Sequence, residues 1–226
     1  MFKYLTLFSF TLLLSCMTAV SQEEKTIIYV WDPLCGWCYG FEPQMEKFQA
    51  QNKNNYNFEV IVGGMVLPPN GRSMGQMRSF LLSAIPQLEK TTGIKIEQPY
   101  YDHILSKDSL QLFSLTPALV FNFLKPKYLG REVILANTIQ KLLYQKGKNT
   151  NEMLSYKDLL ETNSLDFDNS IVEIKSDDNI TKTYQMFKRA NELGVTGYPA
   201  VLLKTDKGVK QISSGYTTCE RLEKQL

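Results

Sequence analysis

One stretch constrains this chain more than any other: Thr26–Met45, TIIYVWDPLCGWCYGFEPQM. Its opening run, Thr26–Trp31, is apolar and rich in β-branched residues, which reads as a buried strand. Asp32 and Pro33 end that run. Cys35-Gly36-Trp37-Cys38 then falls where a helix reaching about Ala50 begins. Two thiols on one helical turn are close enough to form a disulfide, or to supply half of a metal site.

Composition narrows the choice. The chain has 226 residues, 43% of them hydrophobic, enough for one large domain or a small one carrying an insertion. A net charge of +2 without a Lys/Arg cluster argues against a nucleic-acid binder. The N-terminus reads as an export signal: Lys3, then a short apolar run over Tyr4–Leu14, then polar Ser21–Lys25. Cleavage after Ser21 would remove residues 1–21 and leave a soluble exported protein. Leu13-Leu14-Ser15-Cys16 offers another route. There residues 1–15 are lost and Cys16 becomes a lipidated first residue tethered to a membrane. Both routes place the mature protein outside the cytoplasm, in the periplasm, where disulfide chemistry is at home.

Of the four cysteines, Cys16 is lost or lipidated, leaving Cys35, Cys38 and Cys219. That is no disulfide scaffold for a chain of this size, so the pair reads as active rather than structural. A metal site usually needs four ligands, and only Cys219 and the single histidine, His103, remain to help, so no metal is expected. A structural disulfide across so short a loop would constrain little of the unfolded chain.

The remainder alternates between two characters. Asn57–Val62 is a second strand ending at Gly63-Gly64, which with the first implies a β-α-β opening. From Met65 to about Ile174 the pattern is helical. Met77, Phe80, Leu81, Ala84 and Leu88 share a face, with Pro86 expected as a kink or stop. Thr116-Pro117 should open an apolar, buried helix over Ala118–Leu124 that Pro126 ends. Leu135, Ile139, Leu142 and Leu143 mark another helix, stopped by Gly147, and Asn151–Glu161 one more. Ser176 or Asp177 then caps a helix closed by Gly194. A tight loop at Val195–Pro199 leads to strand Ala200–Lys204, a turn at Asp206-Lys207-Gly208 and strand Val209–Ser213, before a last helix over Thr217–Leu226.

A thiol reacts as thiolate, and a helix N-terminus stabilises negative charge. Cys35 at that end should attack, while Cys38, one turn in and more buried, should stay protonated and resolve the mixed disulfide. Asp32 could tune these thiols, but the plainer reading is an Asx turn or a solvated loop acid. Glu42 could act likewise. Trp31 reads as core, Trp37 as exposed in the active loop, and His103 as a surface residue. Cys219 reads as an unpaired thiol in the last helix. Met65, Met74 and Met77 could form an adaptable client surface, with core filling as the default.

Two further features accompany the pair: Pro43, eight residues after Cys35, and Tyr198-Pro199 opening the late hairpin. With them the chain resembles thioredoxin-fold proteins, and the helical insertion after the second strand resembles the DsbA family in particular. DPLCGWCYGFEP, Gly63-Gly64-Met65 and GVTGYPA look most like the FrnE-type branch. The resemblance implies an α/β fold with a central mixed sheet. Residues 25–64 and 175–226 would form the thioredoxin-like domain, and 65–174 the insertion. It implies a protein disulfide oxidoreductase or isomerase with catalytic Cys35 and Cys38. Tyr198-Pro199 would be a cis peptide facing them, and Trp37, Tyr198 and Pro199 would bind substrate. It implies protein thiol or disulfide clients, a redox partner, a monomer and no cofactor, since the cysteines carry the electrons. Here Gly36-Trp37 replaces the Pro-His of the best-known members, so a less oxidising couple is expected, and oxidase, reductase and isomerase stay open. Two rivals share the ground. One is a kappa-class glutathione-transferase or isomerase-like enzyme, which usually carries a lone serine in place of the pair. The other is a non-catalytic lipoprotein that binds a metal or partner.

Overall fold

Thr26–Trp31 forms a strand (β1), as its apolar run predicts, and in the computed structural model, which describes residues 25–226, it is paired on both sides. Asn57–Val62 (β2) runs parallel to it and Ala200–Thr205 (β3) antiparallel. Gly208–Ser214 (β4) completes the mixed sheet in the order β2-β1-β3-β4. The helix Gly36–Asn52 (α1) makes the crossover between the two parallel strands. Because β1 is central and covered on both faces, its residues read as one apolar run rather than an alternation. Ile27, Tyr29 and Trp31 join the main core with Phe41, Met45 and Phe48 of α1, while Ile28 and Val30 face the opposite layer. The expected signal segment, residues 1–21, and Cys16 lie outside the described residues.

Seven α-helices stand between β2 and β3. They are Met74–Thr92 (α2), Gln98–Tyr100 (α3), Leu115–Leu124 (α4), Glu132–Tyr144 (α5), Lys157–Thr162 (α6), Phe167–Ile174 (α7) and Asp177–Glu192 (α8). Cys219–Glu223 (α9) follows the sheet. α2 begins with a reciprocal capping box, Ser73 with Gln76, and passes through Pro86 without stopping. The carbonyl that a proline there leaves without its N–H partner belongs to Leu82, which is exposed to water, so the helix tolerates it. α4 starts two residues earlier than Thr116-Pro117 suggests, after Ser114, and is buried nearly all round as expected. Its Phe121 meets Trp31 edge-on at 5.3 Å, which confirms Trp31 as core.

The helix expected over Asn151–Glu161 is instead a tighter turn at Met153–Tyr156 followed by α6. Ser155 and Tyr156 donate their hydroxyls to the carbonyls of Asn149 and Thr150, and these local bonds compete with a regular helix. α7, capped by Asp166, has no counterpart in the sequence reading. Ser176 caps α8 and Gly194, at φ 75°, closes it.

Candidate active site

The site begins with a turn. Asp32 accepts from the Leu34 amide through Oδ1 at 2.9 Å, and its carbonyl accepts from the Cys35 amide at 3.1 Å. Pro33 inside this Asx turn directs the chain from β1 into α1. Cys35 becomes the N-cap of α1, its sulfur accepting from the Cys38 amide at 3.4 Å. The thiol therefore sits where the unpaired amides of the first turn converge.

The opposite wall comes from far along the chain. Register pairs Val30 with Ala200, which sets Pro199 beside the end of β1. The Tyr198-Pro199 bond is cis, and the Tyr198 carbonyl accepts from the Cys35 thiol at 3.3 Å across 163 residues of sequence. The Tyr198 ring packs on the chain just after β2. It lies over Gly63, where a Cβ would come within 2.2 Å of the ring, and its hydroxyl meets the Gly64 amide. This close approach accounts for the glycine at 63, while a Cβ at Gly64 would crowd Leu67 and Phe187. Pro68-Pro69 is also cis, which sequence did not suggest.

The two sulfurs stand in different surroundings. Cys35 is 7% exposed and Cys38 fully buried. Burial pushes the Cys38 thiol well above its ordinary value; the Cys35 sulfur beside it and the Asp32 charge add to that, and the Asp32 amide opposes it. Tyr29 reaches Cys38 with its hydroxyl from the same face of β1 as Trp31, and burial raises it well above 10. Tyr29 was not singled out from sequence. The alternation of β1, which puts Tyr29 on the α1 side, is the signal that could have found it.

Asp32 departs from expectation. The Asx turn is present, but the carboxylate is fully buried rather than solvated. It also accepts from the Met65 amide at 2.8 Å and the Ser114 hydroxyl at 2.9 Å. Burial raises it to about 6, and these donors hold it from rising further. Ser114 spends its hydroxyl on this bond instead of capping α4. Glu42 is buried on α1 and is pushed up to about 9, first by burial and then by Glu46.

A cleft of about 400 Å³ opens beside Cys35. Trp37, Met65, Met77 and Phe80 line it, and three of them are well exposed: Trp37 36%, Met65 44% and Phe80 61%. Met74 lines the cleft as well, but from within the core, at 7% exposure. Trp37 also approaches Tyr216, with ring centroids 6.4 Å apart. His103 is exposed, as expected. Cys219 is buried and donates to Gln51. Among the described residues no group of three or more His, Cys, Asp or Glu side chains could hold a metal ion.

These features have counterparts among known proteins. Residues 28–222 match the family model described as Thioredoxin, and the chain belongs to that family. A candidate protein disulfide isomerase from Nitrosomonas europaea shares the fold with a TM-score of 0.76 at 20% identity, over 90% of this chain and 96% of that one. The cytosolic disulfide reductase DsbM from Pseudomonas aeruginosa gives 0.68 at 21%, over 83% and 89%. A candidate DsbA oxidoreductase from Streptomyces coelicolor gives 0.65 at 16%, over 89% and 88%. At these identities the likeness establishes the fold. No curated protein matches the sequence.

Proposed function

We propose that this protein is a thiol–disulfide oxidoreductase that exchanges disulfides with protein clients through Cys35 and Cys38. One observation carries the reading. Cys35 caps α1 with its sulfur between the Cys38 amide and the Tyr198 carbonyl, at the edge of an apolar cleft. The Cys35 thiolate attacks one sulfur of a client disulfide, and the other client sulfur leaves as a thiolate. Cys38 gives up its proton and attacks the Cys35 sulfur, which releases the second client thiol and leaves the Cys35–Cys38 disulfide. The client gains two electrons and the protein loses two; the reverse sequence oxidises a dithiol. The cleft suits apolar side chains flanking the client cysteine, and the backbone at Tyr198 suits an extended segment laid as an added strand.

Location outside the cytoplasm rests on Lys3, the Tyr4–Leu14 run and the Ser21 or Cys16 sites. The fold does not select a compartment, since DsbM is cytosolic. The test is equilibration with glutathione redox buffers. A pair that moves between dithiol and disulfide supports the reading, and its position tells an oxidant from a reductant. In Cys38→Ser, covalent client adducts should accumulate on Cys35. A pair that stays reduced at every glutathione ratio, with no adducts on the variant, would remove the redox reading.

A further inference from the structure

Three carbonyls of the active-site turn are held by one helix that sequence gave no reason to connect with it. Gln140 of α5 donates through Nε2 to the Asp32 carbonyl and to the Cys35 carbonyl, each at 3.1 Å. One turn along α5, the Tyr144 hydroxyl donates to the Leu34 carbonyl at 2.7 Å. Residues four apart share a helix face, so one side of α5 presents both donors to the turn. Gln140 is 1% and Tyr144 6% exposed, so neither donor is offered to bulk water. Burial keeps the Tyr144 proton in place by raising it well above 10.

We propose that Gln140 and Tyr144 are positioning residues that hold the Asp32–Cys35 turn in the shape in which Cys35 and Cys38 can bond. The proposal rests on the redox reading of that pair. The turn does not need this clamp to satisfy its own backbone at both ends. The Asp32 carbonyl also accepts from the Cys35 amide, and the Cys35 carbonyl accepts from the Cys38 and Tyr39 amides. The clamp instead ties both ends of the turn to one rigid amide on the helical insertion. Closing the disulfide converts protein dithiol and glutathione disulfide into protein disulfide and two glutathione thiols. Any freedom the turn has before closure opposes that step, and a turn already held in place raises the effective concentration of one sulfur at the other.

Two near-isosteric variants isolate the donors. Gln140→Met keeps length and bulk. Tyr144→Phe keeps a ring that stacks on Tyr39 at 4.9 Å and contacts Tyr100 at 5.5 Å. The readout is the equilibrium of the Cys35–Cys38 pair with glutathione, followed beside thermal unfolding. Each variant should favour disulfide less than the native protein by roughly three- to tenfold, the equivalent of one or two hydrogen bonds. A tenfold change in this two-electron couple is about 30 mV toward a stronger oxidant. An equilibrium that is unchanged, or that shifts toward disulfide, while the native pair exchanges normally, would overturn the clamp alone, whatever the melting temperature does. A native pair that does not exchange with glutathione at all would overturn the redox reading and the clamp with it. Should Gln140→Met fail to fold, Tyr144→Phe decides.

Discussion

Cys35 caps α1 and Cys219 is the first residue of α9, so both thiols lie where helix amides converge. Both are buried in the main core, but their sulfurs meet different groups. The Cys35 sulfur accepts from its own helix, faces a backbone carbonyl, has a second sulfur one turn away and lines an open cleft. The Cys219 sulfur donates to Gln51 at 3.1 Å, is 1% exposed and has no second cysteine in its helix. Burial pushes the Cys219 thiol up, with Lys47 opposing. A helix start therefore does not make a redox centre by itself. A second thiol in the next turn and a way in for a client are needed as well.

The largest expected effect breaks this comparison at its active end. Cys35→Ser should reduce disulfide exchange with a protein client to the uncatalysed rate, read by insulin reduction or refolding of a reduced protein. Next comes the scaffold of that end. Asp32→Ala leaves the Leu34 and Met65 amides and the Ser114 hydroxyl without their shared acceptor. Urea denaturation should register a loss of about 2–4 kcal/mol.

The acids on the two helices sharpen the contrast further. Glu42 on α1 is raised to about 9 by burial, whereas Glu220 on α9 is exposed and is pulled down to about 2 by Lys47, 2.6 Å away. A raised carboxyl contributes stability that is complete below its unfolded value, about 4.5, and is lost as pH climbs toward 9. Glu42→Gln, which cannot ionise, should therefore melt about 2–4 °C or more above the native protein at pH 8 and level with it at pH 4. A melting difference independent of pH would mean Glu42 is ionised in the fold. The smallest effect is expected at the other thiol: Cys219→Ala should keep the glutathione equilibrium and client turnover within about twofold of native. A larger loss would make Cys219 part of the chemistry and erase the distinction between the two helix starts.

How much could be read in advance follows the range of each interaction. The β1–turn–α1 unit, the placement of Cys35 at the helix start, the closing glycines at Gly147 and Gly194, and the apolar α4 all follow from neighbours within a few residues. Pro86 does not stop α2, one of the two outcomes expected of it, and Leu82, whose carbonyl it leaves without an N–H partner, is exposed. Asp32 misled in part. Its turn was readable, but its burial depends on Met65, 33 residues away, and Ser114, 82 away. Gln140 and Tyr144 lie 105 to 110 residues beyond the turn they hold, and no periodicity marks a side chain for a distant carbonyl.

By itself, then, the order of residues determined that two thiols would sit one helical turn apart after a buried strand, because strand, turn and cap are set by adjacent side chains. Only the folded chain decided that Tyr198 would turn its carbonyl to Cys35 and its ring to Gly63, that Asp32 would be sealed from water, and that α5 would grip the turn. Each of those depends on groups brought together across the sheet, and a hydrogen bond between distant residues leaves no trace in local pattern.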